Sequence, residues 1–491
     1  MQWLSTVRTR LGAIQHKRRY LFFGLVALVV CTGLIMTYRP LPEHVDYTGE
    51  WRDLPEVYFL RDITYVDEAG EQGHDHQIMD TMFDMIADAD SLLVLDQFLF
   101  NDFAGAEGNI KRPLSNELTD AVLARHAENP DLSVWFITDP LNTLYGGVES
   151  PQQERLREHG IPVIQTRLTA LRDSNPAHSV WWRLFWRHYP LSWGPQLPNP
   201  IASGRVPLRS YLDLMNFKAN HRKTMVLDRD DELWGMVGSA NPHDASSAHD
   251  NVAVKFRGAA AADLLETERA VARFSGASIP AWEGGGAGDV SSSERGDLRG
   301  RIVTERAVER AALELLDTAE PGDQVMLAMF YLSSRPIVRG LQQAQSRGVK
   351  VRVLLDPNKD AFGREKNGVP NRPVGVQLER AGVSVRWALT HGEQFHTKML
   401  ARLGADGKAV AIIGSSNYTR RNLKNFNLET CLEVRGPGTD PFFQDIQEYL
   451  SQIWTNADGR IVSTDFAAFA DVPAWHHVLY WVQEVTGMST F

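Results

Sequence analysis

The sequence predicts an α/β protein made of two similar halves, a pseudo-twofold duplication in which each half has a mixed central sheet flanked by helices. One transmembrane helix is predicted before them. Three observations support this: an uncharged apolar run near the N-terminus, strand-like and helix-like segments that alternate after it, and short motifs that recur once in each half. With 491 residues, the chain is longer than one compact domain needs.

The composition narrows the class of protein. Hydrophobic residues make up 43% of the chain and charged residues 23%, as in a folded globular protein. The net charge of −10 argues against broad binding to nucleic acid, although it leaves room for a local basic pocket. Two cysteines, Cys31 and Cys431, do not build a disulfide framework.

The N-terminus predicts a membrane anchor. Residues 1–19 are basic, and residues 20–38 form a run without a charge, about long enough to cross the hydrocarbon core as a helix. Because basic residues concentrate before this run, we expect a single-pass protein with a cytoplasmic N-terminus and an extracytoplasmic catalytic domain. A cleaved signal peptide is the alternative, but its apolar region is usually shorter.

A first α/β half is predicted over residues 55–282. Leu92–Phe100 is a candidate buried strand, and Ser115 can cap the helix that follows. Leu132–Thr138 is a second strand that ends at Asp139-Pro140. Residues 283–297 are rich in glycine, serine and charge, which is typical of a linker.

The pattern then repeats. A second half is predicted over residues 298–457, with an amphipathic helix, a strand, and another strand that ends at Asp356-Pro357. The C-terminal segment, residues 458–491, contains an aromatic helix that could either pack on the domain or lie at a membrane interface.

The first half carries an aromatic insertion near residues 171–200. The chain runs 82 residues from Asp139 to His221 but only 40 from Asp356 to His396. The extra stretch contains four tryptophans, and its Arg183 and Arg187 lie four apart, as on one helix face. It predicts either an interfacial or lid segment or an ordinary aromatic core.

Each half contains one His-x-Lys followed 17 or 18 residues later by Gly-Ser-x-Asn. The residues concerned are His221, Lys223 and Asn241 in the first half, and His396, Lys398 and Asn417 in the second. A single His-x-Lys is a weak signal, but two matching copies are specific. Each copy begins a stretch of strand character, so alternation puts its histidine and lysine on one face.

These residue types suit displacement at phosphorus. One histidine can attack while another protonates the leaving alkoxide, since the unperturbed pKa of imidazole is about 6.5. Lysines and asparagine amides can hold the phosphoryl oxygens. One half alone lacks the second histidine, which explains the duplication.

With these motifs, residues from about 55 to 457 resemble the phospholipase D superfamily, whose mark is a doubled H-x-K-x4-D. The resemblance implies that His221 forms a covalent phosphohistidine and that His396 is the general acid, which later activates water or an alcohol. It also implies an orienting carboxylate downstream of each histidine. Asp250 lies 29 residues after His221, and Glu429 lies 33 after His396.

One position departs from the family pattern. The motif's aspartate is Asp228 in the first half, but Leu403 takes its place in the second, where Asp406 is the nearest carboxylate along the chain. Because this aspartate braces the site in the family, we expect an altered second half that keeps its histidine and lysine.

The chain is similar to bacterial cardiolipin synthases, which implies an inner-membrane enzyme that transfers or hydrolyses membrane glycerophospholipid, with water or an alcohol as acceptor. No cofactor, metal or nucleic acid is expected, because lysines and protons supply the charge. An extracytoplasmic nuclease or other phosphodiesterase, and a catalytically dead membrane scaffold, are the alternatives. The choice between hydrolysis and transfer, the headgroup and the oligomeric state stay open.

Overall fold

The computed structural model describes residues 2–103, 110–284, 297–361 and 364–489. The N-terminal helix, α1, spans Gln2–Tyr38. Its part from Arg19 to Tyr38 has a mean hydropathy of 2.3 and is long and apolar enough to cross a membrane. The predicted N-terminal apolar helix is confirmed, and its orientation in a membrane stays a prediction.

The first half folds around an eight-stranded mixed sheet of order β3-β2-β11-β10-β9-β4-β5-β6, in which β4, β5 and β6 are parallel and the other neighbours antiparallel. The elements up to the linker are β1 (Arg52–Asp53), β2 (Val57–Val66), β3 (Gln72–Asp75), α2 (Ile78–Ala87), β4 (Leu92–Gln97), α3 (Leu114–Glu128), β5 (Ser133–Thr138), α4 (Pro151–Glu158), β6 (Val163–Gln165), α5 (Pro176–Leu184), β7 (Gln196–Pro198), β8 (Arg205–Pro207), α6 (Leu208–Leu214), β9 (Lys223–Arg229), β10 (Glu232–Gly238), β11 (Asn251–Arg257) and α7 (Ala259–Ser275).

The second half folds around a nine-stranded mixed sheet of order β1-β12-β20-β19-β18-β13-β14-β17-β21. Its elements are β12 (Arg299–Thr304), α8 (Arg306–Asp317), β13 (Gln324–Met329), α9 (Arg335–Ser346), β14 (Lys350–Leu355), β15 (Asp360–Ala361), β16 (Arg364–Glu365), α10 (Asn371–Glu379), β17 (Ser384–Ala388), β18 (Lys398–Leu403), β19 (Lys408–Gly414), α11 (Arg420–Leu423), β20 (Thr430–Pro437), α12 (Pro441–Thr455), β21 (Ser463–Asp465) and α13 (Ala474–Thr486).

The two sheets repeat one topology. Strands β2-β11-β10-β9-β4-β5-β6 correspond in order and direction to β12-β20-β19-β18-β13-β14-β17. The predicted fold of two similar mixed α/β halves is therefore confirmed. Apolar side chains from the facing strands of both sheets form one hydrophobic cluster, which includes Val252, Val254, Ile413 and Leu432.

The segments around the halves extend the second sheet. Strand β1 precedes the first half in the chain, yet it pairs with β12 of the second half. Strand β21, from the predicted C-terminal segment, pairs with β17 at the other edge. Both additions cover edges that would otherwise present unpaired backbone groups. Most of the predicted 283–297 linker, residues 285–296, lies outside the described residues, and the proposed domain boundaries stay a prediction.

The aromatic insertion differs from its predicted arrangement. Helix α5 ends at Leu184, so Arg187 does not continue a face begun by Arg183. Arg183 is buried and forms an ion pair with Asp173 at 2.7 Å, and Lys218 approaches the same carboxylate at 2.5 Å. The prediction that Arg183 and Arg187 share one helix face is wrong, because the helix ends between them and a buried carboxylate holds Arg183 inside the domain.

A buried arginine joins the halves. Arg222, the middle residue of the first His-x-Lys, is fully buried and forms ion pairs with Glu268 at 3.3 Å and with Glu305 of the second half at 2.8 Å. The backbone N–H of Glu429 also donates to Glu305, at 3.1 Å. This network ties strand β9 to the loops of the second half.

We expect Arg222→Met to destabilise the protein by about 3–5 kcal/mol, because it leaves two buried carboxylates without their cation. Thermal unfolding of the full chain in detergent measures the effect. Arg229→Met is the matched control, since Arg229 is the last residue of the strand that Arg222 precedes, and its ion pair with Asp88 is exposed to solvent. Equal unfolding temperatures for the two variants would contradict the structural role of Arg222.

Candidate active site

The two histidines stand at equivalent places in the two sheets. His221 lies two residues before the start of β9 at Lys223, and His396 lies two residues before the start of β18 at Lys398. In each copy the lysine ammonium folds back on the histidine's own carbonyl: Lys223 Nζ donates to His221 O at 2.6 Å, and Lys398 Nζ to His396 O at 2.8 Å. The predicted common face of each pair therefore agrees with the geometry.

The two Asp-Pro repeats fix the backbone in front of the histidines. The carboxylate of Asp139 accepts from the N–H of Asn220 at 2.7 Å, and that of Asp356 accepts from the N–H of Phe395 at 2.8 Å. Burial raises the pKa of both aspartates to about 7. The repeats thus hold the residue that precedes each histidine.

Each histidine is reached by a strand of the opposite half. Isolated parallel bridges join Asn220 to Leu428 and Asp250 to Phe395, and the His221 N–H donates to Leu428 O at 2.9 Å. The residues that follow the bridges are consequently brought together across the interface between halves. One site is built from both copies of the motif.

Glu429 contacts His221, not the histidine of its own half. His221 Nδ1 lies 2.9 Å from Glu429 Oε1. Ser415 Oγ and the Asn422 amide also donate to this carboxylate. The prediction that Glu429 orients His396 by its downstream spacing is wrong, because the halves exchange their partner residues across the interface.

Asp250 contacts neither histidine. Its carboxylate accepts from the N–H of Thr64 at 2.6 Å, and burial raises its pKa well above the usual value. The prediction that Asp250 orients His221 is wrong, because that position on His221 is taken by Glu429. Alternation along the chain turns Asp250 away and its neighbour Asn251 toward the site.

Asn251 takes the equivalent place on the second histidine. His396 Nδ1 lies 3.1 Å from Asn251 Oδ1, and Ser239 Oγ donates to the same oxygen at 3.0 Å. Ser239 repeats the role that Ser415 has at Glu429. Sequence reasoning missed Asn251 because it searched for carboxylates, whereas an amide of the same shape also accepts from an imidazole N–H.

The site is therefore symmetric in shape but not in charge. Both Nδ1 atoms are engaged, which leaves Nε2 of His221 and of His396 as the ring nitrogens available to a substrate. His221 has an ionisable partner, whereas His396 has a neutral one. A cation that develops on the ring is consequently better balanced at His221.

Each lysine rests on an aromatic ring. Lys223 Nζ lies 4.7 Å from the centroid of Phe98, and Lys398 Nζ lies 5.3 Å from that of Phe330. Burial lowers the pKa of Lys223 to about 7 and that of Lys398 well below its usual value. Because an entering phosphodiester anion would favour both ammonium forms, the pair makes a binding place for phosphoryl oxygens.

The two asparagines lie in the loops that follow β10 and β19. Asn241 is buried next to Leu99, whose N–H points at its amide oxygen over 3.4 Å. Asn417 is buried too, and its amide oxygen has no hydrogen-bond partner within the described part of the chain. Both amides are placed at the carboxyl ends of the central strands, where the histidines stand.

The surroundings of both imidazoles disfavour their charged form. Burial, then the charges of Lys223 and Lys398, lowers the pKa of His221 well below its usual value. Burial, then Lys398, His249 and Lys223, does the same for His396. Burial also raises the pKa of Glu429 to about 8, against the opposing charge of Lys223. A neutral His221 has the lone pair that a nucleophile needs.

The first half keeps the motif's aspartate as a structural brace. Asp228 accepts from the N–H groups of Ser91 and Leu92, at 2.8 and 2.6 Å, where strand β4 begins. It touches none of the site residues in these contacts, so its role is to hold β9 and β4 together.

The second half replaces this brace from the neighbouring strand. Leu403 pairs with Gln324, the first residue of β13, and the preceding residue Asp323 accepts from the N–H of Ala405 at 2.8 Å. Asp406, the nearest carboxylate along the chain, accepts from the N–H of Lys408 within its own turn. Asp323, just before β13, therefore supplies the bracing carboxylate that β18 lacks at Leu403.

We expect Asn251→Asp to raise the pKa of His396, because a carboxylate at Nδ1 favours the imidazolium. The general acid then stays protonated to higher pH. The alkaline limb of the kcat/KM profile should move up by about one to three pH units. An unchanged profile would contradict the placement of Asn251 on His396. The control is Asn216→Asp, because the side chain of Asn216 donates to the backbone carbonyls of Leu212 and Asp213.

Comparison with known proteins finds a matching family model and a similar fold. Residues 312–454 match the family model described as "Cardiolipin synthase, PLD-like domain". No curated protein sequence matches the chain. The fold is similar to that of phosphatidylserine synthase from Haemophilus influenzae Rd KW20, with a TM-score of 0.53 and 10% identity over 94% of this chain and 98% of that one.

Two further likenesses are weaker. Polyphosphate kinase from Porphyromonas gingivalis matches 88% of this chain and 54% of its own length, with a TM-score of 0.44 and 12% identity. Nuc from Salmonella typhimurium, a phospholipase D family member, matches 33% of this chain and 97% of its own length, with a TM-score of 0.25 and 15% identity. Neither carries an argument about function.

Proposed function

We propose that this protein transfers the phosphatidyl group of a membrane glycerophospholipid through a phosphohistidine. Its second half is a phospholipase D-like domain of the cardiolipin synthase type. The observation that carries the proposal is the composite site. Two buried histidines, each held at Nδ1 by a residue of the other half, stand with two lysines at one place.

In the first step, Nε2 of His221 attacks phosphorus and a P–N bond forms. The bond from phosphorus to the headgroup oxygen breaks. His396 is protonated on both ring nitrogens, because the bound phosphodiester anion favours its imidazolium form, and it gives the Nε2 proton to that oxygen. Lys223 and Lys398 hold the non-bridging oxygens, with the amides of Asn241 and Asn417 as further donors. The positive charge that the ring of His221 gains favours the ionised form of Glu429, which then balances this charge.

In the second step, the neutral His396 takes a proton from water or from an alcohol, and the resulting oxygen attacks phosphorus. The P–N bond breaks and His221 returns to its neutral form. Water gives phosphatidic acid, whereas the hydroxyl of a second phospholipid gives a bridged product. The same residues serve both outcomes, so the acceptor depends on which molecule reaches the phosphohistidine.

A lipid substrate is supported by the position of the anchor. The N–H of Asp173, in the insertion, donates to Met36 O at 3.0 Å, and Arg172 Nε donates to Arg39 O at 2.8 Å. The end of α1 is thus fixed to the catalytic body with little slack. Substrates within the bilayer would be close to the body at all times.

The proposal is tested with the full chain in vesicles that contain phosphatidylglycerol, and in parallel with single-stranded DNA. We expect lipid turnover, read by mass spectrometry as phosphatidic acid or as a bridged lipid with released glycerol, and intact DNA. Cleavage of DNA without lipid turnover would reject the lipid substrate and favour the phosphodiesterase alternative.

A further inference from the structure

The C-terminal helix α13 presents an apolar face to the outside of the protein and a polar face to the domain. Five residues on its outer side and just beyond its end are each between 48% and 61% exposed, and all are apolar: Trp475, Val478, Trp481, Val485 and Met488. The side that packs on the domain instead carries His476, Tyr480 and Glu484. A helix at a water-facing surface has the opposite pattern.

Polar contacts fix this orientation. Tyr480 OH donates to Ser333 O at 2.8 Å, and Ser333 Oγ donates to the Glu484 carboxylate at 2.8 Å. Rolling the helix to bury its tryptophans would break both contacts. The apolar stripe is therefore a built feature of the surface.

The stripe lies next to the membrane anchor. Gly487, at the end of α13, packs so closely on Ser174 O that a side chain there would collide with it. The preceding residue, Asp173, donates its backbone N–H to Met36 O near the end of α1. The ends of α13 and α1 thus meet at one turn of the insertion.

A second apolar surface continues the first on the insertion. Helix α5 packs against α1, and Val180 lies beside Gly33. Exposed large apolar side chains follow along the insertion: Trp181, Phe185, Tyr189, Leu191 and Trp193. Tryptophan and tyrosine favour the boundary between hydrocarbon and headgroups.

We propose that the outer stripe of α13 docks into the surface of the bilayer that α1 enters, together with the exposed aromatics of the insertion. A lipid surface is the occupant that fits, because the stripe is continuous with the anchor and lies on the edge of the fold that holds the active site. Arg421 connects the two: its guanidinium donates to Ser489 O just after α13, and its charge helps to lower the pKa of His221. The proposal depends on α1 as a membrane span and not on the reaction at the histidines.

The test places an environment-sensitive NBD label at the stripe in the full chain, reconstituted in vesicles of phosphatidylcholine and phosphatidylglycerol. The label is attached to Val478→Cys in a Cys31→Ser background. Cys431 needs no replacement, because it is buried and its pKa is raised to about 12 by burial. The matched control is Ser346→Cys, an exposed position at the end of α9, on the sheet edge opposite the active site.

We expect the label at position 478 to emit at shorter wavelength than the label at position 346, and lipids with a doxyl group near the headgroup to quench it at least twofold more. Equal emission and equal quenching by aqueous iodide at both positions would overturn the proposal. A blue shift that grows with the protein-to-lipid ratio, without quenching by doxyl lipid, would overturn it in favour of a second copy of the chain as occupant. Because the readout is optical, it is independent of lipid turnover.

Discussion

Replacing His221 by alanine is expected to reduce phospholipid turnover on the order of 10⁴-fold or more, because it removes the atom that attacks phosphorus. Its Nε2 is the ring nitrogen left free when Nδ1 is held by Glu429. Turnover is measured by the release of headgroup from vesicles. His159→Ala, at an exposed position at the end of α4, is the control and should keep full activity.

The companion variant His396→Ala separates the two histidines. It should be as inactive as His221→Ala on a natural headgroup, whose alkoxide must be protonated as it leaves. With a p-nitrophenyl ester of phosphatidic acid, the leaving group needs no proton, so His396→Ala should regain the first step while His221→Ala stays inactive. Recovery of His221→Ala instead would reverse the two roles.

Replacing Glu429 by glutamine is expected to lower kcat on the order of 10²-fold or more with little change in KM. The glutamine oxygen can still accept from His221 Nδ1, but it supplies no charge to balance the phosphorylated ring. The variant would give His221 the same kind of neutral partner that Asn251 gives His396. Steady-state kinetics on vesicles measure the split between kcat and KM.

The same variant tests the exchange of partners between halves. If Glu429 acted through His396, a p-nitrophenyl leaving group would restore the first step in Glu429→Gln. Because Glu429 contacts His221, we expect the defect to persist with that substrate. Glu433→Gln is the control, since this buried glutamate on β20 pairs with Arg301 away from the histidines.

The sequence predicted the parts of this account that depend on local spacing. Alternation placed each histidine and lysine on one face, and the recurrence of Asp-Pro, His-x-Lys and Gly-Ser-x-Asn predicted two equivalent halves with a shared site. The strand order confirms the halves. These features follow from residues that lie close together in the chain.

The partners of the histidines could not be predicted in the same way. Glu429 reaches His221 across 208 residues through the bridge between Asn220 and Leu428, and no local pattern records that crossing. In the second half, the bracing carboxylate is not at the place of Leu403 but at Asp323, just before the adjacent strand β13. Such exchanges keep the geometry while they change the sequence position, so only the fold reveals them.

Long-range burial also decided the role of the insertion. The spacing of Arg183 and Arg187 predicted one shared helix face, but Asp173 holds Arg183 inside the domain. The C-terminal helix left two readings open in the sequence, and its outward tryptophans favour the interfacial one.

The most direct test of the central claim is to isolate the covalent intermediate. His396→Ala is mixed with the p-nitrophenyl ester, quenched in alkali and digested, and the phosphatidyl group is mapped by mass spectrometry. We predict a phosphatidyl group on His221, absent from the double variant His221→Ala/His396→Ala. A group on any other residue, or none while p-nitrophenol is released in a burst, would contradict a site in which His221 attacks and His396 protonates.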